Sequence, residues 1–383
     1  MKIGFFTNTY LPIPYGMEIS IESFRKNLEK MGHEVFVFAP YYKGYKDTNP
    51  RIFRFRAIKV FRKKEVYFPF PFLAQNARLR DILSIKFDIV HAHSPFSMGL
   101  FAKYISSRQK IPLVYTHHIQ YAKYARLYFK RRLIPPFLAR KWSKWFSNLS
   151  DLVIAPSFKI KHMLEDYGVK KKIIVLSTGI DTNVFKKSKE PKKLIRKKLN
   201  LPLQSKILLF VGRIEIEKNP SFLIQTLPRI LKSRKDVVLL IIGEGSFRNA
   251  LQKQVQKMNI EKSVIFTGKI LHSKIPFYYQ SSDIFVFSSL TETQGIILLE
   301  AAACGLPIVA LWDEAFLDVV QDKKNGFLVR KESPDIFAKK ILYILNNPSI
   351  YMKFSSASQK IGQSFSEIRQ TKKLLEIYKS LIK

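Results

Sequence analysis

The chain has one cysteine, Cys304, in 383 residues. That excludes an internal disulfide and a cysteine-based zinc site, and it suits a reducing compartment. Long apolar runs are missing too. Stretches such as Val237 to Ile242 fall far short of the roughly 20 residues that cross a bilayer. No cleavable leader is expected, because Met1-Lys2-Ile3-Gly4-Phe5-Phe6 reads as a first buried strand. The dinucleotide fingerprint G-x-G-x-x-G is absent. Gly16 stands alone after the first strand. Gly243-Glu244-Gly245 lacks the third glycine and an acidic ribose partner, which argues against a nicotinamide site. Acidic residues are scarce as well: 29 Asp+Glu face 66 Lys+Arg, a net charge of +37.

The basic excess is uneven. Residues 1–200 hold 40 Lys+Arg against 13 Asp+Glu, and residues 201–383 hold 26 against 16. Such a field selects polyanionic partners: nucleic acid, anionic lipid or a phosphorylated substrate. The hydrophobic fraction of 46% supports packed cores.

Strand-like and helix-like segments alternate along both halves. In the first, Lys2–Phe6, Val35–Ala39, Asp88–His91, Leu113–Thr116 and Leu152–Ala155 read as strands, and Glu18–Met31 as an amphipathic helix ended by Gly32. In the second, Ile207–Val211, Val237–Ile242, Val264–Thr267, Ile284–Phe287 and Ile308–Ala310 repeat the pattern. Alternation of this kind implies parallel sheets covered on both faces. We expect a first domain over 1–185, a lysine-rich linker with Pro191 and Pro202 over 186–205, and a second domain over 206–365. A closing helix over 366–383 is placed to pack back on the first domain. Two doubly wound domains leave a cleft at the carboxyl ends of their sheets, where ligands bind in open α/β folds. Two segments break the rhythm with interleaved aromatics and basic residues: Arg51 to Arg80, and Tyr121 to Phe146.

The most informative stretch is Thr291-Glu292-Thr293-Gln294-Gly295-Ile296-Ile297-Leu298-Leu299-Glu300. A strand precedes it and a small-residue helix follows, so helix-terminal N–H groups near Gly295, Ile296 and Ile297 can receive an anion. Glu292 and Glu300 fit neither a buried helix face nor a phosphate contact. They suit sugar or ribose hydroxyls beside the anion. Arg213 and Lys218 follow the first strand of the second domain, and a guanidinium fork with an ammonium suits a diphosphate. Gly16, opening the first helix, stands where a phosphate approaches. His91, His93, His117 and His118 end strands without a carboxylate or thiol at a ligand offset, so neutral imidazoles are expected rather than a metal site.

With these motifs in order, the chain resembles the retaining glycosyltransferases of family 4. Further motifs carry the likeness: Gly32-His33-Glu34-Val35, Asp88-Ile89-Val90-His91-Ala92-His93, Ala155-Pro156-Ser157, Gly179-Ile180-Asp181 with Phe185, Ala303 through Ala310, and Asn325-Gly326-Phe327-Leu328-Val329. The Thr-Glu-Thr-Gln-Gly loop with paired histidines is most similar to enzymes that glycosylate diacylglycerol. The resemblance implies a GT-B fold, α/β, with two Rossmann-like doubly wound domains facing each other across a cleft. It implies Arg213 and Lys218 on the donor diphosphate, Glu292 on the sugar, Glu300 on the ribose and His117 beside the anomeric centre. It also implies backbone groups of Gly295 to Ile297 at the phosphate or sugar, and Gly16 at the diphosphate. One departure stands out: the family often has two adjacent glycines where Tyr15-Gly16-Met17 has one.

The expected donor is a UDP-hexose, glucose or galactose, with no cofactor and no metal. The expected acceptor is a lipid. The basic-aromatic segments, read as amphipathic helices, would meet an anionic membrane surface from the cytoplasmic side, making the protein peripheral on the inner face of the cell membrane. A nucleic-acid-binding protein would explain the charge but not the glutamate loop, and no nucleic acid is expected. A sugar-nucleotide epimerase of the same fold would need no basic membrane face. A transferase acting on a soluble sugar or polysaccharide is the nearest rival.

Overall fold

The structure, a computed structural model, describes residues 1–13, 16–61, 64–71, 76–128, 135–289 and 291–382. The chain forms two compact units. One is Met1–Gly179 with Glu367–Lys383; the other is Ile180–Ser366.

The first unit contains β1 (Lys2–Phe6), α1 (Gly16–Lys30), β2 (Glu34–Pro40), β3 (Ile52–Phe55), β4 (Ala57–Phe61), β5 (Lys64–Pro69) and α2 (Asn76–Ser84). It continues with β6 (Ile89–Ala92), α3 (Ser97–Gln109), β7 (Leu113–Thr116), α4 (Tyr121–Tyr128), α5 (Pro136–Leu149), β8 (Leu152–Ala155), α6 (Phe158–Asp166) and β9 (Ile173–Val175). Its sheet runs β3-β2-β1-β6-β7-β8-β9, all parallel, with Ile3 opposite both Val35 and Ile89. Strands buried on both faces need apolar residues throughout, and β6, β7 and β8 are buried at every position. Successive side chains feed opposite cores. Ile3 and Phe5 pack with Ile21 and Leu28 of α1, while Phe6 packs with Phe38, Phe101 and Phe146. Phe6 stacks on Phe38 with ring centroids 4.5 Å apart.

The second unit contains α7 (Lys192–Lys198), β10 (Lys206–Val211), α8 (Pro220–Ser233), β11 (Val237–Ile242), α9 (Arg248–Lys257), β12 (Val264–Gly268), α10 (Ile275–Ser281) and β13 (Ile284–Phe287). It continues with α11 (Ile296–Ala303), β14 (Ile308–Leu311), β15 (Gly326–Val329), α12 (Pro334–Asn346) and α13 (Pro348–Ser364). Its sheet order is β12-β11-β10-β13-β14-β15, again parallel. The last helix, α14 (Glu367–Leu381), belongs to the first unit. There Leu374, Ile377 and Tyr378 join the core of Ile3 and Phe5.

Three features depart from the sequence reading. The stretch expected as a linker is folded into the second unit. Helix α7 lies in it, and Arg196 donates to Asp283 Oδ2 at 2.7 Å and to the Ser281 carbonyl at 2.9 Å. Lys192 reaches the same aspartate at 3.1 Å. Lysine-rich composition hid this because the anchoring carboxylate is far along the chain. Second, the described residues between 51 and 71 do not form an amphipathic helix. They supply β3 and an antiparallel hairpin, β4 with β5, in which Ile58 faces Phe68, and residues 76–80 open α2. Alternating aromatic and basic residues suit a pleated strand. Residues 62, 63 and 72–75 of that segment, and 129–134 of the second one, lie outside the described residues. Third, β3, β9 and β15 were not read from sequence, being short strands at sheet edges.

Among the described residues no helix is long and apolar enough to cross a membrane.

Candidate active site

In the second unit the sheet order reverses between β10 and β13, and both strands end in functional loops. After β10 come Gly212 and Arg213, then a short 3-10 turn over Ile216–Lys218. Arg213 Nη2 donates to Glu217 Oε1 at 3.1 Å, and Glu217 is buried. A buried carboxylate four residues on therefore orients the guanidinium. Lys218 Nζ pairs with Glu292 Oε1 across the switch point, joining the β10 and β13 loops. Ser288, just past β13, donates to the Asn219 carbonyl at 2.8 Å and the Lys218 carbonyl at 3.2 Å, fastening the lysine loop to the same place.

Gly243 and Gly245 support the arginine loop from behind. A Cβ on Gly243 would lie 1.9 Å from the Gly212 carbonyl oxygen, and one on Gly245 would lie 2.1 Å from that of Ile214. Ile214 N–H bonds the Glu244 carbonyl at 2.9 Å. These glycines let backbone pack on backbone.

Gly295 precedes α11 at φ 78°, a conformation side chains rarely adopt, and a Cβ there would press on Leu298 and Phe316 at 3.0 and 3.1 Å. The first turn of α11, with Ile296 and Ile297, presents helix-terminal N–H groups. Glu300 follows one turn later. Contrary to the sequence reading, it is a buried helix residue. Tyr279 of α10 donates to its Oε2 at 2.8 Å, which makes the burial affordable. His272 Nε2 stands 3.8 Å from Oε1, too far for a hydrogen bond, but the neighbouring carboxylate raises the imidazole pKa above its ordinary value.

In the first unit the switch point lies between β1 and β6. Gly16 opens α1 beyond β1; Pro14 and Tyr15 before it lie outside the described residues. The four histidines sit at or just past the ends of β6 and β7. His91 Nδ1 meets the Tyr378 hydroxyl at 2.6 Å, and its Nε2 meets Thr116 Oγ1 at 2.7 Å. His93 Nδ1 meets His118 Nε2 at 3.0 Å. Among the described residues no three His, Cys, Asp or Glu side chains group as metal ligands. His117 is fully buried. Its Nδ1 is 3.1 Å from the Tyr115 hydroxyl, and its Nε2 has no hydrogen-bond partner. Nε2 donates or accepts according to the tautomer, and either way a buried polar atom without a partner costs about 1–3 kcal/mol and marks a place where a ligand can bind. Burial pushes His117 down to about 4 and His118 down to about 3, so both are neutral near pH 7.

The structure thus brings Arg213, Lys218, Glu292, Gly295, Ile296, Ile297 and Glu300 to the carboxyl ends of one sheet, and Gly16 and His117 to those of the other. Glu217, Ser288, Tyr279 and His272 were not singled out from sequence. Glu217 had a local signal, lying four residues after Arg213. The other three are distant in the chain from the residues they touch.

Comparison with known proteins gives a consistent answer. A family model described as Glycosyltransferase Family 4 matches residues 14–184, and one described as Glycosyl transferases group 1 matches residues 191–361. The chain is 34% identical to the alpha-monoglucosyldiacylglycerol synthase of Streptococcus pneumoniae, over 86% of this chain and 75% of that protein. It is 28% identical to the enzyme of that name from Acholeplasma laidlawii, over 100% and 98%. The crystal structure of Anabaena HepE in complex with UDP superposes with a TM-score of 0.81 at 21% identity, covering 100% of both chains, a likeness of fold. The chain belongs to the family 4, group 1 glycosyltransferases, and it is a glycosyltransferase of GT-B fold.

Proposed function

We propose that the enzyme transfers a hexose, glucose or galactose, from a UDP-sugar to a membrane lipid, most naturally 1,2-diacylglycerol, with retention at the anomeric carbon. The observation that carries the donor half is the Lys218–Glu292 pair bridging two loops at a sheet switch point, beside an Arg213 oriented by Glu217. Two cations and a sugar-binding carboxylate at that place suit a nucleotide diphosphate sugar. In this reading Glu300 takes the ribose, and the N–H groups from Gly295 to Ile297 and the Gly16 loop take phosphate. His117 serves the sugar through its free Nε2.

The chemistry follows. The bond between the anomeric carbon and the phosphate oxygen breaks, and UDP leaves with the electron pair. The acceptor hydroxyl bonds the same face of the sugar, and its proton passes to the departing phosphate. Charge grows on the diphosphate as the bond stretches, and Arg213 and Lys218 stabilise it without reorganising. No metal or cofactor is invoked.

The acceptor half rests on the relatives' names and on α5. Phe137, Leu138, Trp142 and Trp145 are exposed on that helix beside Arg140, Lys141 and Lys144. Trp142 and Trp145 lie 4.8 Å apart between ring centroids. Apolar rings flanked by cations suit the interface of an anionic membrane and support a peripheral location on the inner face of the cell membrane. The test offers UDP-glucose and UDP-galactose with diacylglycerol vesicles and weighs the product by mass spectrometry. A glycosyl-diacylglycerol is expected. Efficient glycosylation of a soluble saccharide with none of the lipid would replace this acceptor.

A further inference from the structure

Buried polar groups hold the proposed site residues in place. Tyr279 stands out. Its ring is fully buried, packed near Phe185 and Phe285 with centroids 5.9 and 5.7 Å away. Its hydroxyl meets two acceptors of α11: Glu300 Oε2 at 2.8 Å and the Ile297 carbonyl at 3.3 Å. It holds a single proton, and the charged oxygen is the nearer and stronger acceptor. Burial, and then the adjacent carboxylate, raise the phenol far above its ordinary pKa, so it remains a donor at any working pH.

This fixes which way Glu300 presents itself. A free carboxylate rotates and offers either oxygen. Here Oε2 is committed inward and Oε1 is turned toward the side of the half-exposed His272. An acceptor-only oxygen in a fixed position suits a ribose hydroxyl, which must donate to it. We propose that Tyr279 is a positioning residue of the nucleotide site: it locks one oxygen of Glu300 so that the other reads the ribose diol, and the enzyme thereby discriminates ribonucleotide from deoxyribonucleotide. This rests on the reading of Glu300 as the ribose-binding carboxylate.

The experiment measures Kd for UDP and for 2′-deoxy-UDP by calorimetry, using the full chain and its Tyr279→Phe and Glu300→Ala variants, with thermal melts as the fold control. Wild type should favour UDP by about tenfold, as expected for one hydrogen bond to a charged group. Tyr279→Phe should lose about five- to tenfold of UDP affinity while 2′-deoxy-UDP changes little, so the ratio shrinks toward one. KM for the donor should rise more than kcat falls. A packing role alone would weaken both nucleotides equally, and that result overturns the proposal. If Glu300→Ala abolishes the ratio but Tyr279→Phe preserves it, Tyr279 is not the positioning residue. If Glu300→Ala preserves the ratio, or wild type binds neither nucleotide, the underlying reading of Glu300 falls and takes the proposal with it. Should Tyr279→Phe fail to fold, Glu300→Asp replaces it, since the shorter side chain cannot reach both the phenol and the diol. An unchanged ratio there overturns the proposal, and a collapsed one supports it.

Discussion

Lys218 and Glu292 neutralise each other, so their variants should differ in kind. On the proposed reading, Glu292→Ala removes a contact to the reacting sugar but releases the Lys218 ammonium for phosphate. Turnover should fall about 100-fold, while UDP binds as tightly as before or more so. Lys218→Ala and Arg213→Ala should lower kcat by a similar factor, about 3 kcal/mol each, and also weaken UDP. Steady-state rates alongside UDP titration separate the two patterns; wild-type rates in a folded Arg213→Ala would remove the proposed site. His117→Ala should cost more activity than His118→Ala, because the His118 Nε2 is already spent on His93. The same histidines set an acid limit. Their folded pKa values lie below the ordinary 6.5, so they contribute stability above pH 6.5 that fades as the unfolded chain takes up protons. The free energy of unfolding should therefore drop between pH 6.5 and pH 4, by about 3 kcal/mol for each of the two histidines at about 1.4 kcal/mol per pKa unit. A flat profile across that window would mean these imidazoles are solvated.

Elements decide what a composition means. The two basic-aromatic segments look alike in sequence, yet one holds a hairpin and the other contains α5. On α5, Ala139, Ser143 and Phe146 face inward at helical spacing, leaving Leu138, Trp142 and Trp145 along another side. Trp142 is partly anchored, its indole donating to the Pro95 carbonyl at 3.2 Å. Replacing Phe137, Leu138 and Trp145 by Ser should remove the part of vesicle binding that survives high salt. Changing Arg140, Lys141 and Lys144 to Gln should remove the salt-sensitive part, since screening acts over about 8 Å at physiological ionic strength. Both sets should spare UDP binding. Co-sedimentation with anionic vesicles at low and high salt reads both, and unaltered sedimentation in either set would clear α5 of the role.

At the scale of the whole chain, the C-terminal helix closes the first unit. Tyr378 reaches His91 across 287 residues, and Leu374 fills the core above β1. Tyr378→Phe leaves His91 Nδ1 buried and unpaired, so stability should fall by about 1–3 kcal/mol with UDP affinity unchanged. Chemical denaturation followed by tryptophan fluorescence is the measurement, because all three Trp residues can be read; equal stability would show that another group satisfies the imidazole.

Much of this was written locally. The alternation of apolar strands and amphipathic helices named the parallel sheets, because side-chain period is a property of neighbours in the chain. The placement of Arg213, Lys218 and Glu292 in the loops after β10 and β13 was legible because each follows an apolar strand closely in the chain, whereas the burial of Glu300 within α11 was not. The rest waited for the tertiary structure. Residues 186–205 read as linker, yet α7 is pinned to Asp283 from some 90 positions away. Lys218 and Glu292 are separated by 74 positions, and Tyr279 and Glu300 by 21. Pairings of that range depend on which strands become neighbours and which way each helix turns. Packing sets those choices for the whole unit at once, and no local period encodes them.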